Sequence, residues 1–173
     1  MGLVHIYCGD GKGKTSAATG LAVRAAGQGI TVVVVRFLKT DASGEVSVLN
    51  KIPQITVLPC EKTFGFVSSM DEATREAAAA YQREQFEKAV SLAARSGAGL
   101  LILDEIMAAM KYGMIPESVV LEFLKNRPDS LEVVLTGRDP SCAILEAADY
   151  ISEIKKIRHP YNRGISARKG IEY

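Results

Sequence analysis

Val32, Val33, Val34 and Val35 stand in succession inside the segment 30–37, and the valine run itself holds no polar position to face water. A β-branched run without alternation makes a strand covered on both faces, the condition of strands in parallel sheets flanked by helices. Residues 100–103 form a second such run, ending on the acidic pair Asp104 and Glu105. The chain must therefore supply helices for both faces of its sheet, and the segments between strands are where they are expected.

The spacing predicts strands over 3–7, 30–37, 55–58, 100–103, 131–135 and 150–155. Helices are expected over 15–26, from a cap at Asp71 to about 95, from Pro116 to about 126, and from Pro140 to about 148. Residues 39–50 read as a polar loop and 60–70 as irregular. Strands alternate with helices without repeats, which specifies an α/β fold with a mostly parallel sheet flanked by helices. At 173 residues the whole chain, 1–173, is expected to be one domain. In such a sheet, ligands bind at the carboxyl ends of the strands.

Apolar residues at 47% and charged residues at 24% place the chain among ordinary globular proteins. No apolar run approaches the ~18 residues a membrane crossing needs, and residues 1–7 lack the basic start and long apolar stretch of a secretion signal. Cys8, Cys60 and Cys142 are widely separated, with neither CxxC spacing nor an even count, so a reducing cytoplasm is the expected location. Net charge is +1, but residues 155–173 carry +5 against −4 for the remainder. Such a tail suits phosphates, an acidic partner or nucleic acid, or is simply a solvated terminus.

The chemistry concentrates in Cys8, Gly9, Asp10, Gly11, Lys12, Gly13, Lys14 and Thr15, a loop between a strand and a helix. Its glycines let successive backbone N–H groups turn inward around phosphate oxygens, Lys14 adds a point charge, and Thr15 at the helix start can ligate Mg²⁺. This is a P-loop, with Cys8 in place of the usual first glycine. Asp104 and Glu105, at the end of a neighbouring strand, are candidates for the same Mg²⁺, although Asp104 could also cap the helix that follows. Arg138 ends the strand 131–135 on the same rim, where it could touch phosphate or form a surface ion pair. His5 and His159 form no metal cluster, and no nucleophile set can be assembled by spacing.

The loop CGDGKGKTSAA, the strand end LLILDEI, the segment VVLTGRDP and the tail KIRHPYNRGISARKGIEY together resemble the P-loop class of ATP:corrinoid adenosyltransferases. The resemblance spans nearly the whole chain, and the RGI-x-ARKGIEY ending is its most specific part. It implies a RecA-like P-loop NTPase fold and transfer of the 5′-deoxyadenosyl group of ATP to cobalt(I) of a reduced corrinoid, releasing triphosphate. Cobalt(I) is the nucleophile in that reaction, so no base is needed, and the nucleotide lies reversed in the P-loop. The resemblance further implies triphosphate contacts from residues 9–15, Mg²⁺ contacts from Thr15 and Glu105, and Arg24 as a nucleotide neighbour or a helix arginine paired with an acid. Phe64 and Phe66 match the aromatic positions that cover the lower face of cobalt in the family, though such residues are otherwise satellite core. A homodimer and a reduced flavoprotein such as flavodoxin, as electron donor, are the expected partners.

Two rival readings remain from the residues. A small-molecule kinase or ATPase would need a lid with arginines, and between 106 and 135 only Lys111, Lys125 and Arg127 are basic. A RecA-like nucleic-acid-binding module would use the basic tail, where Tyr161 and Tyr173 are the only aromatic residues, too few for base stacking.

Overall fold

The computed structural model describes residues 1–40 and 42–172; Tyr173 and position 41 of the segment 39–50 lie outside the described residues. In chain order the elements are β1 (Val4–Cys8), α1 (Lys14–Gly27), β2 (Val32–Arg36), α2 (Gly44–Leu49), β3 (Ile55–Val57), α3 (Glu72–Ser96), β4 (Leu100–Asp104), α4 (Ile106–Lys111), α5 (Glu117–Asn126), β5 (Glu132–Thr136), α6 (Cys142–Glu146) and β6 (Tyr150–Glu153). The strands form one sheet in the order β3-β2-β4-β5-β1-β6, and every pairing in it is parallel. The α/β architecture expected from the double-sided apolar runs is therefore present.

The valine run shows why. Val33 and Val35 point to one face with Leu101, Leu103, Val133 and Leu135, where α3, α4 and α5 supply Phe86, Ala89, Ile106, Val120 and Leu124. Val32 and Val34 point to the other with Leu100 and Ile102, against Ala18, Ala22, Ala25 and Ala26 of α1. Alanines on that helix bring its backbone close to the sheet, which keeps its N-terminus at the end of β1. Asp71 caps α3 by accepting from the Thr74 N–H at 2.8 Å, and Gly97 closes it with a left-handed φ of 61°.

Two expectations are corrected, and a third, the irregular stretch 60–70, holds apart from one turn. Residues 39–50 are not all loop: α2 forms within them and buries Val46 and Leu49 against the sheet, a pair three apart on one helical face that the polar composition conceals. The helix expected over 140–148 is confined to Cys142–Glu146, because Ser141 accepts from the Ile144 N–H at 3.2 Å and so sets its start. The irregular stretch 60–70 contains a single 3₁₀ turn, Val67–Ser69.

Candidate active site

Because all the strands run one way, Cys8, Arg36, Asp104 and Thr136 end β1, β2, β4 and β5 on a common rim. Between β1 and α1 the P-loop uses positive φ at Gly9 (106°) and Gly13 (121°), values that side chains resist. Lys14 is 7% exposed, and its Nζ donates to the carbonyls of Gly9 and Gly11, both at 2.8 Å. Burial pushes its pKa down, and the neighbouring Arg138 pushes the same way, against weaker attraction from Glu105 and Asp10. A desolvated ammonium held by neutral carbonyls beside a guanidinium favours an arriving anion.

The loop rests on the exit of β6. The Gly11 N–H donates to the Ile154 carbonyl at 2.8 Å and the Ile154 N–H to the Cys8 carbonyl at 2.8 Å, while the Lys156 N–H donates to Asp10 Oδ1 at 2.9 Å. That last bond is the main cause holding the Asp10 carboxyl below its ordinary value. A Cβ on Gly9 would stand 2.4 Å from the Ile154 oxygen, and one on Gly11 2.7 Å. These two glycines therefore serve packing as well as phosphate approach.

Next to the loop, Asp104 is 2% exposed. Its Oδ1 accepts from Thr15 Oγ1 at 3.1 Å and from Thr136 Oγ1 at 2.7 Å. The Lys39 ammonium donates to Asp104 Oδ2 at 2.5 Å and to Thr15 Oγ1 at 2.9 Å. β5, inserted between β1 and β4, places Thr136 so that its hydroxyl also accepts from the Glu105 N–H at 2.9 Å. Glu105, not Asp104, occupies the cap position of α4, with φ 61° and no side-chain capping bond; its carboxylate acts electrostatically on Lys14. Asp104 is thus held as a rim acceptor and does not cap the helix. Leu38, Glu105 and Asp139 are the non-glycine residues with positive φ among the described residues, and each lies just past the end of β2, β4 or β5. A left-handed backbone costs about 1–3 kcal/mol apiece, and all three lie at the carboxyl-end rim of the sheet.

The remaining expected residues are distributed around this centre. Lys12 lies 3.8 Å from Glu172, whose carboxylate Arg168 also holds at 3.0 Å, so the basic tail folds back over the P-loop. Arg138 is exposed, within electrostatic reach of Lys14 and Asp10. Arg24 is exposed in the last turn of α1, ten residues and about 15 Å along the helix from Lys14, and the structure does not gather it with the loop. A cavity of about 790 Å³ opens beside Thr15, Ser16, Lys39, Ser43 and Glu172.

Phe64 and Phe66 lie in the segment between β3 and α3, seven and nine residues past the end of β3. Phe66 is 84% exposed and so is not core; Phe64 is half-buried, its ring 5.8 Å from that of Tyr81. His5 bonds to Glu132 and stacks on Tyr150 at 4.7 Å, a structural arrangement. Sequence reasoning passed over Lys39, Ile154 and Glu172 as site residues. For Lys39 the available signal was its place just beyond a buried strand that ends at the rim.

A parallel sheet with a P-loop between its first strand and first helix, and a buried carboxylate on the loop's threonine, defines the P-loop NTPase-like class of fold. The chain belongs to the ATP:corrinoid adenosyltransferase BtuR/CobO/CobP family, whose match covers residues 1–173, and it is an enzyme of that type. It is 35% identical to a corrinoid adenosyltransferase of Pseudomonas aeruginosa, spanning 99% of this chain and 84% of that one. It is 36% identical to the corrinoid adenosyltransferase of Escherichia coli, over 99% of this chain and 86% of that one. Identity to the corrinoid adenosyltransferase CobA of Salmonella typhimurium is 34%, over the same shares.

Proposed function

We propose that the protein transfers the 5′-deoxyadenosyl group of ATP to the cobalt(I) of a reduced corrinoid and releases triphosphate. The cobalt electron pair forms the carbon–cobalt bond as the bond from C5′ to oxygen breaks, and that oxygen departs with the triphosphate. The observation that carries this reading is the buried Lys14 ammonium, bonded to two neutral loop carbonyls, within a chain of this family. Lys14 and the inward N–H groups of the loop bind and orient the polyphosphate. Lys12 and Arg138 add charge at its edge.

The oxygens of Thr15 and Asp104, with Glu105 beside them, fit Mg²⁺, since a cation, the Lys39 ammonium, already rests on the first two. Bound there, Mg²⁺ would offset the charge of the triphosphate leaving group.

Phe66, exposed in the segment between β3 and α3, would cover the flat face of the corrinoid together with the half-buried Phe64. Excluding the lower cobalt ligand raises the cobalt(II) potential, and each ~59 mV gives a tenfold larger reduced fraction. A reduced flavoprotein such as flavodoxin supplies the electron, the enzyme acts as a homodimer, and it works in the cytoplasm. No helix among the described residues is long and apolar enough to cross a membrane.

The test is incubation with ATP, Mg²⁺ and chemically reduced corrinoid. A light-sensitive adenosylated corrinoid together with triphosphate is the expected outcome. ADP and a phosphorylated acceptor would instead establish the kinase reading.

A further inference from the structure

The Lys39 ammonium is placed by the fold and does not hang from a free loop. The Phe37 N–H extends the β2–β4 ladder by donating to the Asp104 carbonyl at 2.9 Å, and Leu38 then turns the chain with φ 54°. The next side chain, only 24% exposed, reaches Asp104 Oδ2 and Thr15 Oγ1. With Thr15 donating its proton to Asp104, the lone pairs of its hydroxyl oxygen are left for one cation, and Lys39 takes them. A divalent ion on the same oxygens would need them at about 2.0–2.1 Å. Ammonium and metal therefore exclude each other.

We propose that Lys39 occupies the divalent-cation seat in the nucleotide-free protein, so that metal is admitted only with a polyphosphate that gives the displaced ammonium a new anionic partner. Lys39 is a positioning residue that sets the order of binding. A carboxylate as deep as Asp104 needs a cation at all times; the lysine supplies it until the metal–nucleotide arrives. The displaced ammonium stays at the cavity that Thr15 and Ser16 line, where the phosphates enter. This inference rests on the reading that Thr15 and Asp104 hold the metal.

The probe is Mn²⁺, with the free ion counted by electron paramagnetic resonance. Wild-type protein without nucleotide is expected to bind it weakly. Lys39→Met should bind it roughly tenfold tighter or more, because a like charge a few ångströms away is gone, and Lys39→Arg should restore the weak binding. A second readout needs no variant: the Lys39 ammonium signal in ¹⁵N nuclear magnetic resonance, protected by its two bonds, should shift when Mg²⁺–ATP is added. Equal, weak nucleotide-free binding in wild type and Lys39→Met, with Mn²⁺–ATP bound normally by both, overturns the role of Lys39 alone. An unmoved ammonium signal at saturating Mg²⁺–ATP overturns it as well. Failure of either protein to bind Mn²⁺ with ATP removes the metal reading and this inference together.

Discussion

Lys14 and Asp104 are both buried charges of the site, and each makes a different demand. Lys14 lends its charge to neutral carbonyls until an anion comes. Lys14→Ala is expected to weaken ATP binding roughly ten- to hundredfold, the loss of a charge-assisted contact of about 1.5–3 kcal/mol, as isothermal titration calorimetry would measure. Asp104 takes bonds from Thr15, Thr136 and Lys39 at once. In Asp104→Asn an amide would face these donors and leave an ammonium unpaired, a change worth about 3–5 kcal/mol when a buried pair is broken. The variant should therefore lower Tm as well as the response to Mg²⁺. Glu105→Gln touches no such network and should leave stability within about 0.5 kcal/mol while weakening the Mg²⁺ dependence of activity. A Mg²⁺ titration beside a melting curve separates the two, and an unchanged melt for Asp104→Asn would contradict the network.

At the scale of elements, the segment between β3 and α3 carries a feature that stability cannot explain, an aromatic ring left 84% in water. Phe66→Ala is expected to leave Tm and ATP affinity unchanged and to slow adenosylation that starts from cobalt(II), with much less effect on corrinoid already reduced to cobalt(I). A four-coordinate cobalt(II) resonance, present with wild type and ATP, should fade in the variant; an unchanged resonance would move the role to another residue. Strands and long helices were legible in the sequence because double-sided burial and capping are written locally, as in Val32–Arg36 and at Asp71. The P-loop was legible for the same reason. α2 was not, since two buried residues among polar neighbours give too little periodicity. Lys39, Thr136 and Ile154 meet the loop only because strand order brings them there, and strand order is a property of pairings between distant segments that no local spacing encodes.

Across the whole molecule, the uneven charge of the chain is resolved by folding: the basic tail returns to the P-loop, where Glu172, its carboxylate held by Arg168 of the same tail, pairs with Lys12 of the loop. The side-chain and backbone bonds from Arg168 pull the Glu172 carboxyl down from 4.5 to about 2. Because the folded value is the lower one, the tie is complete above the ordinary carboxylate value and is lost only as pH falls through about 2. Nuclear magnetic resonance titration should find that low midpoint, and the Arg168 amide should move with it; Glu172→Gln should show the released amide already at neutral pH. The P-loop has a longer-range dependence still. Asp10 is bonded to Lys156, 146 residues further on, and Gly11 to Ile154. On the ribosome the loop is thus translated well before it can be completed: a nascent chain lacking β6 has its phosphate loop made but unbraced, and a polyphosphate can find a finished cradle only after residues 154–156 have emerged.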